Sequence, residues 1–175
     1  MKKSITAVIG IAVVIGLVIL TAGCVGSQDQ NQGQSAVQPG DETEIAKLIE
    51  DYIPQGQILL LGTASASGVP NVAPISAILT NGNRIILGNM YMLKTLSNIQ
   101  ENPQVTLLAT DTEKGYCVQL KGTAEIKTNS DEHKLMNELV KKRFGEAAQT
   151  KNVVVVTVTE VYDSMLGPNA GQRIA

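Results

Sequence analysis

Cys117-Val118-Gln119-Leu120-Lys121-Gly122-Thr123-Ala124-Glu125-Ile126 is the stretch that decides the architecture. Val118, Leu120, Ala124 and Ile126 share one parity; Gln119, Lys121, Thr123 and Glu125 share the other. Side chains alternate across a strand, so one face of this segment meets a core and the other meets water. A strand wet on one side belongs to an antiparallel sheet more readily than to a parallel one, whose strands are covered twice.

Downstream, Asp131 to Phe144 is amphipathic through Leu135, Met136, Leu139 and Val140 and stops at Gly145, which reads as a helix. The run Val153-Val154-Val155-Val156, continuing to Val161, reads as a strand buried on both faces. Upstream lie a strand from Gln104 to Thr110, a short helix from Met92 to Glu101 closed by Asn102-Pro103, and a strand from Arg84 to Asn89. Asn81-Gly82-Asn83 is a hairpin turn, because both residue types tolerate positive φ. Before it stand one run from Val69 to Thr80, the turn cluster Ser65-Ala66-Ser67-Gly68, and a short run from Ile58 to Thr63. A first helix opens on the acids of Asp41-Glu42-Thr43-Glu44, carries Ile45, Leu48, Ile49, Tyr52 and Ile53 on one face, and ends at Pro54 and Gly56. Six strands with three scattered helices predict a mainly β, α+β domain whose sheet closes into a barrel.

The N-terminal end reads differently. Lys2 and Lys3 precede an uncharged apolar run from Ile5 to Leu20, then Thr21-Ala22-Gly23-Cys24. A basic start, an apolar stretch and small residues before a cut form an export signal. A cysteine directly after Gly23 resembles the lipobox of prokaryotic lipoproteins, with Thr21 standing where leucine is preferred, and implies a lipid on Cys24. Residues 1–23 are then the signal peptide; an uncleaved membrane helix is the alternative, because the run approaches a bilayer-spanning length. Either way the positive charges before the apolar stretch place the following domain outside the cytoplasm. Residues 24–40, rich in Gln, Ser, Gly and Asn, form a tether too polar to bury a core. The folded domain is expected over 41–165, with 166–175 as a C-terminal tail.

Without residues 1–23 the chain has 12 lysines and arginines against 16 acids. That acidic balance argues against nucleic acid as a partner, which needs a basic footprint. One histidine, His133, and one remaining thiol, Cys117, are too few for a zinc, copper or iron site. Off the apolar stripe of its helix, His133 is expected to be solvated; Cys117 is a half-buried small residue, and Met90 and Met92 pack beside a helix start. There is no G-x-S-x-G, G-x-G-x-x-G or G-x-x-x-x-G-K frame, which disfavours a serine hydrolase, a Rossmann dinucleotide site and an ATPase.

What remains is the junction at Leu93, Lys94 and Thr95, between an apolar strand and a helix. Free N–H groups and the positive end of a helix dipole favour an anion there, and Lys94 adds a full charge. On pattern alone this is either a phosphate cradle or a solvated lysine in a first helical turn.

Gly62-Thr63-Ala64, then Gly68-Val69-Pro70-Asn71-Val72-Ala73-Pro74, then Ile85-Ile86-Leu87-Gly88-Asn89, then Lys94-Thr95-Leu96-Ser97-Asn98-Ile99 with Asn102-Pro103-Gln104-Val105, and finally Val118 to Ala124, follow in an order that resembles the pyridoxamine 5′-phosphate oxidase-like family of FMN-binding split β-barrels. The likeness runs from about Ile45 to Tyr162. It implies a six-stranded antiparallel split barrel, a homodimer, and a flavin held between two subunits with its phosphate on Lys94 and Thr95. It further implies that Ala73, Pro74, Ile75 and Ser76 run past the flavin ring and that Gly88 and Asn89 approach it. Met92-Leu93 stand where pyridoxamine phosphate oxidases proper carry Ser-Arg, and their arginine-rich strand is absent around Ala73 to Ile78. An arginine fork replaced by apolar chains forfeits charge-assisted hydrogen bonds, so vitamin B6 oxidation is not expected. The resemblance implies an FMN-dependent oxidoreductase working with a small electron donor or acceptor. The deazaflavin F420 is an alternative cofactor, and a non-enzymatic barrel carrying flavin, F420 or heme, or no cofactor, is the competing reading.

Overall fold

A computed structural model describes residues 39–175. The expected export signal, Cys24 and nearly all of the polar tether lie outside the described residues. Helix α1 (Pro39–Tyr52) is followed by β1 (Leu59–Ala64), β2 (Pro70–Ile75), β3 (Ile78–Asn81), β4 (Arg84–Asn89), α2 (Lys94–Glu101), β5 (Gln104–Asp111), β6 (Tyr116–Lys127), α3 (Asp131–Phe144) and β7 (Asn152–Asp163). Pro39 and Gly40, assigned above to the tether, already belong to α1; proline fits a first helical turn, where its missing N–H has no partner anyway. None of the described helices is long and apolar enough to cross a membrane.

The strands form one antiparallel sheet in the order β2-β1-β5-β6-β7-β4-β3. Its count is seven, one more than expected, because the run from Val69 to Thr80 breaks at Ser76-Ala77 into two strands. The first half pairs with β1 (Leu59 opposite Ile75), the second with β4 (Ile78 opposite Leu87). One bent stretch thus supplies both edges of the sheet, and the barrel curls round to it. Across the bend the Gly88 N–H still donates to the Ala77 carbonyl at 2.8 Å. Pro70 and Pro74 sit on β2 because an edge strand tolerates residues with no N–H to donate. At the β3–β4 hairpin only Gly82 takes a positive φ, 60°, so Asn83 does not use the freedom expected of it.

Two apolar clusters explain the valine run. Val154, Val156 and Val158 face the barrel interior with Leu59, Leu61, Leu87, Leu107 and Leu120, sealed by Ile45 and Ile49 of α1 and Ile99 of α2. Val153 and Val155 face the other way, onto Met136 and Val140 of α3. On β6, Val118, Leu120, Gly122 and Ala124 are buried and Lys121, Thr123 and Glu125 exposed, as alternation requires. After β7 the chain turns back; the Ile174 N–H donates to the Val161 carbonyl at 2.8 Å, so residues 172–175 dock along the sheet.

His133 departs from expectation. It is buried, its Nδ1 accepts from the Asn129 N–H at 3.1 Å, and its Nε2 lies 3.0 Å from the Thr150 carbonyl. A main-chain N–H can only donate, so Nε2 carries the proton and donates to Thr150. The imidazole ties the start of α3 to the entry of β7.

Close by, Glu132 Oε1 lies 2.7 Å from Arg84 and 3.6 Å from Lys127. Its own main-chain N–H, then the Arg84 guanidinium and the Ser130 hydroxyl, pull the carboxyl down to about 2. A carboxylate whose folded value lies below its unfolded one stabilises above the unfolded value and loses that contribution as pH falls through the folded one. We expect the melting temperature to fall between about pH 5 and 2, and E132Q to flatten that slope; superimposable melting curves against pH would refute the coupling.

Candidate functional site

Where β2, the end of β4 and the turn before α2 meet, a cleft of about 400 Å3 opens, within the range of cofactor pockets. Ala73, Pro74, Ile75, Ser76, Gly88, Lys94 and Thr95 all line it. Asn89, the eighth residue expected there, does not. It is buried behind the turn, donating from Nδ2 to Asn152 Oδ1 at 3.0 Å and accepting the Met92 N–H at 2.7 Å on its own Oδ1. Those bonds hold residues 89–92, and so delay the start of α2 from Met92 to Lys94.

Helices α2 and α3 contrast in how they begin. Helix α3 is capped by Ser130, whose Oγ accepts the His133 N–H, and it carries Asp131 and Glu132 in its first turn. Helix α2 begins after Leu93, which offers no side-chain oxygen, and has no acid in its first turn. Ser97 N–H is the first to find a helical acceptor, Leu93 O at 3.1 Å. The N–H groups of residues 93–96 before it have no acceptor among the described residues, a donor-rich end suited to an anion. Lys94 is exposed beside them and forms no salt bridge among the described residues.

Thr95 is 3% exposed, and its Oγ1 accepts from Asn71 Nδ2 at 3.2 Å. Asn71 and Asn98 both donate toward Thr63 Oγ1, at 3.4 and 3.1 Å. This network fastens α2 to β1 and β2. The sequence reading includes Asn71 in the Gly68–Pro74 stretch without giving it a role; its importance comes from the β1–β2 register, which sets it opposite Thr63.

Gly88, on the cleft lining, is also constrained by packing. A Cβ there would meet Ala77 Cβ, Met136 Sδ and Thr150 Cγ2, each at 3.0 Å, so the packing of β4 under α3 leaves little room for a larger residue. The Ser76 carbonyl accepts from Arg143 Nη1 at 2.6 Å, which pins the bend of the long strand to the end of α3. Tyr91 and Lys94 are the titratable side chains on the lining. The sole histidine, with both ring nitrogens engaged, is not part of it. On the outer sheet face, Leu60 opposite Pro74 and Gly62 opposite Val72 leave Leu60 and Val72 exposed next to the cleft.

A curled antiparallel sheet closed by a bent edge strand, with a cleft at that bend, defines a split barrel. The chain belongs to the pyridoxamine 5′-phosphate oxidase family: residues 45–165 match the profile of that description. An uncharacterized protein of Methanocaldococcus jannaschii is 36% identical over 136 residues, 75% of this chain and 90% of its own. HupZ of Group A Streptococcus superposes with a TM-score of 0.58 at 21% identity, over 77% of this chain and 100% of that one. An FMN-binding protein from Syntrophomonas wolfei superposes with a TM-score of 0.54 at 17% identity, over 73% of this chain and 89% of its own. At those identities the two solved structures attest the fold alone.

Proposed function

We propose that this domain binds FMN in the cleft, as a homodimer, and passes electrons between the flavin and a small donor or acceptor. The observation that carries this reading is the uncapped start of α2, where main-chain donors and the unpaired Lys94 ammonium open onto a cleft of cofactor size. When bound, the flavin supplies the redox chemistry. Lys94 then offsets the charge of its phosphate and Thr95 adds a hydroxyl. The stretch Ala73–Ser76 offers a flat, mostly main-chain wall to the ring. With no carboxylate, imidazole or thiol on the lining, the chain's part is position and electrostatics.

A second copy is favoured by Leu60 and Val72, exposed apolar side chains on the face that borders the cleft. Covering them would bury apolar area and narrow the opening. The basic start, apolar run and Cys24 of the sequence support placing the domain outside the cytoplasm, held to the membrane through lipid on Cys24. F420 offers a phosphorylated tail to the same donors and is the alternative cofactor.

Protein incubated with FMN and then freed of excess should stay yellow, bleach with dithionite and recover its spectrum in air. Colourless protein after both FMN and F420 would refute the reading; a bound flavin that cannot be reduced would leave a carrier and exclude the redox role.

A further inference from the structure

We infer that Asn71 is a positioning residue for the phosphate end of the cleft: its amide fixes the Thr95 hydroxyl as a hydrogen-bond donor to the bound anion. The inference rests on the flavin reading above and adds a residue outside the motif that carries Lys94 and Thr95.

A threonine hydroxyl has one proton to give and two lone pairs with which to accept. Asn71 Nδ2 approaches Thr95 Oγ1 at 3.2 Å as a donor, so the oxygen is engaged as acceptor and its proton is left over. No acceptor among the described residues takes that proton. Thr95 is 3% exposed yet lines the cleft, so the place where the proton finds a partner is the cleft itself. A buried hydroxyl with an unplaced proton is an unfavourable arrangement unless a ligand or water accepts it.

The same amide reaches a second hydroxyl. The second hydrogen of Asn71 Nδ2 points to Thr63 Oγ1 at 3.4 Å, and Thr63 Oγ1 also receives Asn98 Nδ2 at 3.1 Å. Asn98 lies one turn beyond Thr95 on α2, so strand and helix are joined through two amides and two hydroxyls. Beside Asn71, whose own Oδ1 is an acceptor on the lining, stand three kinds of donor: the Thr95 hydroxyl, the Lys94 ammonium and the N–H groups of the first turn. Three donor types side by side, one of them a full positive charge, favour a phosphate monoester over a neutral hydroxyl.

The test compares FMN with riboflavin, which shares ring and side chain and lacks the phosphate, by fluorescence titration of the full chain carrying N71A or N71D. N71A should weaken FMN by about tenfold, the scale of a lost hydrogen bond to a charged group, with riboflavin unchanged. N71D keeps the size of the side chain but can only accept; it turns the Thr95 proton away from the cleft and sets a negative charge beside the phosphate. It should weaken FMN further than N71A, again with riboflavin unchanged and a melting temperature showing that the fold survives. Equal weakening of both flavins would make Asn71 a brace of the whole cleft and overturn the inference, as would unchanged FMN binding in both variants. Wild-type protein that takes up neither flavin overturns the flavin reading and this inference together.

Discussion

Replacing Lys94 with alanine is expected to raise the FMN dissociation constant by about ten- to a hundredfold, the range of a charge-assisted hydrogen bond to phosphate. Folding should hardly change, because Lys94 is exposed and takes part in no ion pair among the described residues; surface changes of this kind stay within about 0.5 kcal/mol. The two effects separate the cradle from a solvated lysine, which would lose neither affinity nor stability. Salt gives a further check. Wild-type affinity for FMN should fall as ionic strength rises, and that dependence should be shallower in K94A, because one screened attraction has been removed. K94R should retain most of the binding, since it keeps the charge. Equal FMN affinity for wild type and K94A at low salt would remove Lys94 from the site.

G122A should abolish folding or come close to it. Gly122 sits on β6 at the register shift against β7, where Lys121 pairs with Glu160 and Gly122 with Val158, so that Thr159 is the extra residue of a bulge. A Cβ on residue 122 would lie 2.1 Å from the Thr157 carbonyl oxygen, 2.9 Å from its carbon and 3.0 Å from Val158 Cα. All three atoms are main chain of a central strand, and no rotamer can move them aside. Relief requires prying β6 from β7, whose Val154, Val156 and Val158 belong to the barrel core. We expect a loss above about 4 kcal/mol, comparable with the whole stability of many domains. Gly62 provides the contrast. A Cβ there would meet Thr106 Cγ2 at 2.6 Å, a side-chain methyl that can rotate, so G62A should cost about 1–3 kcal/mol. Denaturant midpoints for the two variants check the ranking; a G122A protein as stable as wild type would contradict the bulge.

Where sequence and structure agree, local chemistry was sufficient. Asp131–Phe144 was readable to the residue because Ser130 caps it and Gly145 ends it. Arg84–Asn89 was equally plain, an apolar strand behind a glycine turn. The break at Ser76-Ala77 was not legible, since Val69 to Thr80 is apolar on both sides of it. What reveals it is tertiary: Ile75 faces the barrel interior while Ala77 packs with Met136 outside it, so the strand changes layer within two residues. His133 was misjudged for a related reason. It lies off the apolar stripe of α3, yet the loop before β7 folds over it and supplies Thr150 as acceptor. The cleft shows the same division. Lys94 and the residues of the bent strand could be found as a motif. Asn71 stood in the same stretch with no role assigned, because that role depends on which hydroxyls the sheet register and α2 bring to its amide.

The central claim is that the start of α2 and the bent edge strand hold the phosphate and ring of a flavin. The most direct measurement is a titration of FMN into the full-length wild-type chain, followed by the flavin's visible absorption band. The account predicts a saturable perturbation of that band with one FMN per chain and a dissociation constant in the micromolar range or below, about −8 kcal/mol or better. A band that stays that of free FMN up to about millimolar protein, where binding would be worth only about −4 kcal/mol, would contradict it.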